Sequence, residues 1–180
     1  LIAFPSEYLY AKDLISTLNY MYTNKKYSKL LFYLEACESG SMFKNLLPTN
    51  INVYATTASN ESESSWATYC GKDAKVNNVP FTTCLGDLYS VNWLEDADLK
   101  TKNETVEDQY KIVKEKTNLS PVNEFGDLKI KSLFLKEFFG EPSSNKRNFN
   151  KQKENLKIKG KSIDSRLAKL HYLSSVYKDT

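Results

Sequence analysis

The chain has 180 residues, of which 41% are apolar and 26% charged, and its net charge is +3. These values are ordinary for a globular protein with its own core, and so small a charge does not predict nucleic-acid binding. No apolar run approaches the roughly 20 residues that a membrane helix needs, so we expect no transmembrane segment. Leu1 is not preceded by a basic leader, so we expect the chain to start inside a longer protein.

Charge is unevenly distributed along the chain. Residues 127–180 hold 13 basic and 6 acidic side chains, a net charge of +7, whereas residues 1–126 have a net charge of −4. A mildly acidic body with a basic tail predicts two functional units.

The first part of the chain predicts a helix followed by two strands. Within residues 10–27, Leu14 and Leu18 recur at helical spacing. Leu30–Leu34 is a short apolar run, typical of a strand buried on both faces, and Ile51–Thr57 is rich in β-branched residues.

The second part predicts a long loop and then further helices. Residues 59–86 are polar with Asn, Ser, Gly and Pro, as in a loop, whereas residues 87–97 and 104–117 have helical patterns. Lys131–Phe139 resembles a late strand, closed by a glycine. The overall order predicts an α/β protein.

The C-terminal part predicts a connection and a final helix. Residues 141–161 are almost all polar or basic, which favours a flexible linker. Residues 162–178 recover apolar residues at helical spacing, from Ile163 to Val176.

Cys37 is the candidate reactive group, because it lies three residues beyond Leu34 and reactive groups in α/β sheets lie past the carboxyl ends of strands. By position alone a buried structural thiol remains the commoner interpretation. The other cysteines are Cys70 and Cys84, with no CxxC pair. A single histidine cannot complete a zinc finger, so we expect no metal and no cofactor.

Several ordered motifs give the sequence a family resemblance. The segment FYLEACESGSMF around Cys37 resembles the nucleophile segment of the legumain family, also called asparaginyl endopeptidases or vacuolar processing enzymes. Four later stretches are similar to the segments that follow it in that family: residues 50–58, 63–66, 84–96 and 104–110.

The resemblance implies a caspase-like α/β fold with a mainly parallel sheet flanked by helices, incomplete at its N-terminus. Residues 1–140 would be the C-terminal part of the peptidase domain, residues 141–161 a basic linker, and residues 162–180 the start of an activation peptide. The family's catalytic dyad pairs the cysteine, here Cys37, with a His-Gly that we expect a few residues before Leu1.

The resemblance also implies a substrate pocket. Glu35 and Asp87 match acidic pocket residues that accept from a carboxamide NH₂. Ser64 and Ser65 match the pocket and the strand edge that pairs with an extended substrate. The donor to the amide oxygen is an arginine that we expect upstream of this chain.

Other residues receive roles by the same comparison. Cys70 and Cys84 match a disulfide found in some family members, and Asn118 matches a glycosylation position. Three sequons in a chain so rich in Asn, Ser and Thr are about what chance gives, so their number indicates nothing. We reject His171 as the dyad histidine, because it lies in the predicted late helix beyond the linker.

The implied function is a cysteine endopeptidase that cleaves after Asn, and after Asp at acidic pH, with peptide ligation as a variant. Its partners would be Asn-containing proteins and its own pro-segment, with no nucleic acid and no membrane, in a lysosome or vacuole or secreted. This chain alone should be inactive. Two alternatives stay open: a non-catalytic homologue that acts by binding, and the anchor-attaching transamidase, whose family lacks the motifs at 63–66 and 85–91.

Overall fold

The computed structural model describes residues 1–99, 103–140 and 161–178. Its central sheet has three strands in the order β3-β4-β9: β3 (Leu30–Leu34), β4 (Val53–Thr57) and β9 (Asn123–Gly126). β3 pairs with β4 in parallel, and β4 pairs with β9 in antiparallel orientation. The α/β class is therefore present, while the described strands form a mixed sheet rather than a mainly parallel one.

Three helices of ten or more residues cover this sheet: α1 (Ala11–Thr23), α2 (Leu88–Leu99) and α3 (Val106–Lys116). All five residues of β4 are buried, and alternate side chains face opposite layers. Val53 and Ala55 pack with Leu14 and Leu18 of α1. Tyr54 packs on the other face with Val106 of α3. The predictions of these three helices and of strands β3 and β4 are confirmed.

α3 begins at a capping box. The Thr105 hydroxyl accepts from the Asp108 N–H at 3.1 Å, and the Asp108 carboxylate accepts from the Thr105 N–H at 3.1 Å. These reciprocal bonds satisfy donors that a helix start leaves free.

The predicted loop at residues 59–86 contains four short strands. β5 (Trp66–Thr68) pairs with β8 (Gly86–Asp87), and between them β6 (Lys75–Val76) and β7 (Val79–Pro80) form a hairpin. Strands of two or three residues are too short to show an alternating pattern, so the sequence predicted loop here.

The strand predicted at Lys131–Phe139 is wrong. The segment forms a 3₁₀ turn at Leu128–Ser132 and then the short helix α4 (Lys136–Phe139). Its alternating leucines suggested a strand, but Leu135, Phe138 and Phe139 also follow helical spacing, and tertiary packing selected the helix.

The C-terminal part begins with a strand rather than a helix. β10 (Ile163–Asp164) pairs with β5 in antiparallel orientation, so the sheet order there is β10-β5-β8. The predicted helix follows as α5 (Ala168–Lys178). Apart from Lys161, the predicted linker at 141–161 lies outside the described residues. The N-terminal strands β1 (Ile2–Ala3) and β2 (Tyr8–Leu9) form a separate hairpin.

Within the described ranges, no helix has both the length and the apolar character to cross a membrane. The same ranges hold no group of three or more His, Cys, Asp or Glu side chains placed to bind a metal ion.

Candidate active site

Cys37 lies three residues beyond β3, at the edge where the parallel strands β3 and β4 both end. Backbone bonds hold its loop against the chain that follows β4: Glu38 N–H donates to the Glu63 carbonyl at 2.7 Å, and Gly40 N–H to the Ser59 carbonyl at 3.0 Å. Buried Ser39 adds side-chain bonds to Ser59. The loop that presents the thiol is therefore fixed at several points.

Two residues of this loop have special backbone requirements. Glu38 adopts the left-handed region with φ of 56°. A Cβ on Gly40 would lie 2.8 Å from the backbone carbon of Asn60, closer than real Cβ contacts allow. The turn after Cys37 therefore contains one left-handed residue and one position where the close approach of Asn60 leaves room only for glycine.

The thiol is in contact with the start of β5. Ser65 N–H donates to Cys37 Sγ at 3.3 Å, and the Ser65 hydroxyl lies 3.5 Å from the same sulfur. Ser65 is buried, and Ser64 before it is half-buried. The contact fixes the position of the sulfur against the chain that leads into β5.

Glu35 lies two residues before Cys37, and Asp87 of β8 is close enough to act on the Glu35 carboxyl. Glu35 Oε2 accepts from the Ser90 N–H in the first turn of α2 at 2.8 Å, whereas its buried Oε1 has no hydrogen-bond partner. Burial, and next the charge of Asp87, raise the pKa of Glu35 from 4.5 to about 7. Burial also raises the pKa of Asp87. This carboxylate pair is the candidate substrate pocket, and its oxygens accept hydrogen bonds.

Two residues that sequence reasoning missed lie at this pocket. Ser165, just after β10, donates from its hydroxyl to Asp87 Oδ1 at 2.9 Å. Arg166 pairs with Glu38 at 2.6 Å, one residue from the thiol. Both residues lie in the stretch that resembles the start of an activation peptide, but that resemblance gave neither of them a role at the site, and only the folded chain brings them there.

Cys70 and Cys84 are joined in a disulfide with their Cα atoms 4.2 Å apart. The bridge closes the loop that runs from β5 to β8, beneath α5. His171 and Tyr172 of α5 line a small cavity together with both half-cystines. The structure therefore places His171 against the disulfide loop rather than at Cys37.

Asn118 is exposed in the turn after α3. Ser120, the third residue of its sequon, is buried and donates to the Ala58 carbonyl at 2.6 Å. An exposed asparagine on a firmly held turn is compatible with a glycan.

The free thiol of Cys37, past a strand end on an α/β scaffold, is the candidate nucleophile of this chain. A model of the Peptidase C13 family matches residues 1–141. The chain is 48% identical over 141 residues to a hemoglobinase of Schistosoma mansoni and to human legumain, covering 78% of this chain and 32% and 31% of theirs. It is 44% identical over 154 residues to a vacuolar-processing enzyme of Vicia sativa, covering 82% of this chain and 31% of the relative.

This chain belongs to the Peptidase C13 family, as the motifs around Cys37 suggested. It spans about a third of the length of the curated relatives that it matches.

The raised pKa of Glu35 predicts that stability depends on pH. A carboxyl whose folded pKa lies above its unfolded value contributes stability below about pH 4.5, and that contribution is lost as pH rises through about 7. The wild-type chain should therefore lose about 1–3 kcal/mol of unfolding free energy, relative to Glu35→Gln, between pH 5 and 8. Urea unfolding of both chains measures it, with Glu115→Gln on exposed α3 as the matched control. A constant difference across this range would contradict the buried placement of Glu35.

Proposed function

We propose that the protein to which this chain belongs is a cysteine endopeptidase that cleaves after Asn, and after Asp as pH falls. One observation carries the proposal: a chain of short contacts links the free thiol of Cys37 to Asp87, which in turn acts on the Glu35 carboxyl. Ser65 contacts Cys37 Sγ, and its hydroxyl donates to Ser165 at 3.3 Å, which in turn contacts Asp87.

The chemistry begins with attack of the Cys37 thiolate on the substrate carbonyl carbon. The peptide C–N bond breaks, and the leaving amine takes a proton from an imidazole that family resemblance assigns to a His-Gly upstream. Water then hydrolyses the thioester and regenerates the thiolate. An amine attacking in place of water gives peptide ligation. By the same resemblance, the backbone N–H groups of Cys37 and of that glycine stabilise the oxyanion.

Selectivity follows from the donors of a carboxamide. The NH₂ of a substrate Asn carries two hydrogens, and Glu35 and Asp87 offer two acceptors. A substrate that lacks the amide would leave these carboxylate oxygens without a donor. The site should therefore discriminate strongly against such substrates. The arginine expected upstream would donate to the amide oxygen.

Residues 162–180 act in this proposal as a pro-segment. β10 lies along β5, which is the edge that an extended substrate would use. Ser165 contacts the pocket, and Arg166 pairs with Glu38 beside the thiol. The segment that resembles the start of the family's activation peptide would therefore cover the candidate active site.

The proposal extends to the whole protein. Its complete sheet would be caspase-like and mainly parallel, with β3 and β4 as two of the parallel strands. The name of the vacuolar-processing enzymes favours a vacuole, and the family resemblance adds a lysosome or secretion. A secretory route would let Cys70–Cys84 form and Asn118 be glycosylated.

A panel of peptides that differ only at the cleavage position tests this function. We expect the full-length protein, after acid activation, to cleave the Asn peptide at least about a hundredfold faster than the Gln and Ala peptides, because only Asn reaches both carboxylates. The 180-residue chain should cleave none of them, since its one histidine, His171, lies at the disulfide loop. Equal cleavage of all peptides would contradict the pocket assignment, and robust cleavage by the 180-residue chain would contradict the proposed dyad.

A further inference from the structure

The hairpin inside the disulfide ring contains the longest exposed run of the described chain. Residues 75–83 are all exposed, and no other run within residues 1–99, 103–140 and 161–178 is as long. Val76 and Val79 have exposed fractions of 50% and 58%, so even the apolar side chains of β6 and β7 lie outside the core. One further backbone bond, from Phe81 N–H to the Ala74 carbonyl at 2.8 Å, extends the pairing. Little packing therefore holds this hairpin in its conformation.

Two asparagines form the tip of this hairpin. Asn77 and Asn78 lie between the paired residues Val76 and Val79, and both have left-handed backbones, with φ of 51° and 66°. Two-residue turns of this kind favour Asn, because its side chain tolerates the left-handed region. A two-stranded hairpin without a packed face is only marginally stable in water, so this tip should open readily into extended chain. Exposed loop tips of this kind are preferred sites of proteolytic cutting.

We propose that the tip formed by Asn77 and Asn78 is a cleavage site for a second copy of the same protein. The inference rests on the proposed function and adds a substrate, which is the protein's own disulfide ring. The Cys37 thiolate of the second copy would attack the carbonyl carbon of Asn77 or Asn78, and the peptide bond after that residue would break. The leaving amine would take its proton from the imidazole expected upstream in that copy. Water would then hydrolyse the thioester, which leaves a carboxylate at the cut and restores the thiolate.

The disulfide decides what such a cut does to the molecule. Cys70 lies two residues after β5 and Cys84 two residues before β8, so the bridge joins the two sides of the cut. β5 and β8 pair directly outside the ring, with Ala67 opposite Asp87. Opening the ring therefore leaves the strand that carries Asp87 attached to its neighbour. The product should be a two-chain protein that keeps its candidate site.

Asn45 provides a comparison within the same chain. It is also exposed and left-handed, with φ of 58°. It lies, however, between Phe43 and Leu47, which are both buried in the core, and Leu47 N–H donates to the Phe43 carbonyl at 3.0 Å. Opening this turn would expose core side chains to water, so a cut after Asn45 should be much slower. The loosely held run around the asparagine, rather than its exposure alone, defines the proposed site.

A copy that cannot cut itself serves as the substrate in the test. Full-length Cys37→Ala protein is incubated at acidic pH with activated wild-type protein and a reference Asn peptide, and the products are identified by mass. Reduction should release a chain that ends at Asn77 or Asn78, whereas without reduction the two chains should stay joined. Asn77→Gln/Asn78→Gln, made in the Cys37→Ala protein, should slow this cut at least about tenfold. Asn45→Gln in the same protein is the matched control and should leave the cut unchanged.

The reference peptide separates the two ways of failing. A cleaved peptide beside an intact ring overturns the inference and leaves the proposed function in place. An uncleaved peptide contradicts the proposed function, and the inference then fails with it.

Thermolysin, which cleaves beside apolar residues and does not need Asn, measures the opening of the ring by itself. In the Cys37→Ala protein it should cut within residues 75–83 at least about tenfold faster than within residues 43–47. Equal rates at the two turns would overturn the inference, whatever the result with Asn peptides.

Discussion

Replacing Cys37 by alanine is expected to reduce cleavage of Asn peptides by the full-length protein at least about a thousandfold. In the proposed mechanism the Cys37 sulfur forms the thioester, so alanine would remove the covalent path and leave the binding groups in place. The measurement is kcat/KM on one Asn peptide for wild type and Cys37→Ala, both activated in the same way. Turnover retained by Cys37→Ala would show that another residue is the nucleophile.

The disulfide offers the control for this variant. Replacing Cys70 and Cys84 together by alanine also removes sulfur, but it opens a 15-residue ring. Ring opening should cost about 3 kcal/mol of unfolding free energy in the chain-entropy model. Cleavage of the same peptide, measured well below the unfolding temperature, should persist. The two substitutions thus separate loss of chemistry from loss of stability.

The second large effect is a pH dependence of the preference between substrates that carry Asn and substrates that carry Asp at the cleavage position. An ionised substrate Asp is repelled by Glu35 and Asp87, whereas a neutral Asn is not. As pH falls below about 7, Glu35 takes up a proton that it can share with the substrate carboxylate, whose own unperturbed pKa is about 3.9. The Asp-to-Asn ratio of kcat/KM should therefore rise at least about tenfold from pH 7 to pH 5.

Asp87→Asn tests the same pocket at fixed pH. The change replaces an acceptor by a mixed donor and acceptor that faces the substrate NH₂, and we expect Asn cleavage to fall about tenfold to a hundredfold. Asp98→Asn, exposed near the end of α2, makes the same change of charge away from the pocket and should have no effect. Identical pH profiles for the two substrates, or an Asp87→Asn enzyme with normal selectivity, would rule out the carboxylate pocket.

The elements that sequence patterns predicted are those with a long or dense apolar pattern. Leu14 and Leu18 mark α1, and the continuous run Leu30–Leu34 marks β3, because burial imposes its periodicity on the residues that fill the core. The position of Cys37 follows from the end of that strand. The role of Glu35 and Asp87, by contrast, came only from the family resemblance, since an acidic residue in a loop has no pattern of its own.

The elements that were missed depend on partners distant in sequence. β9 contains Asn and Gly rather than β-branched residues, and it exists because it pairs with the buried strand β4. Gly126, with φ of 88°, fits there because a Cβ would lie 2.2 Å from the Val53 carbonyl oxygen. β10 has only two residues and pairs with β5, which lies nearly a hundred positions earlier in the sequence. No local signal in either segment indicates its partner.

The shortness of β10 has a consequence for how the segment holds the site. The segment contacts the site through few groups: two paired residues of β10, the Ser165 side chain and one exposed ion pair. Its intrinsic affinity for the site should be low, because an exposed ion pair is worth about 1 kcal/mol or less. The segment is nevertheless part of the same chain, joined through the predicted linker at residues 141–161. Such a tether gives an effective concentration of about a millimolar, which no separate peptide reaches in a dilute compartment. If the segment acts as the proposed pro-segment, a single cut in that connection would leave it as a separate, weakly bound peptide that dilution removes, although no contact at the site itself had changed.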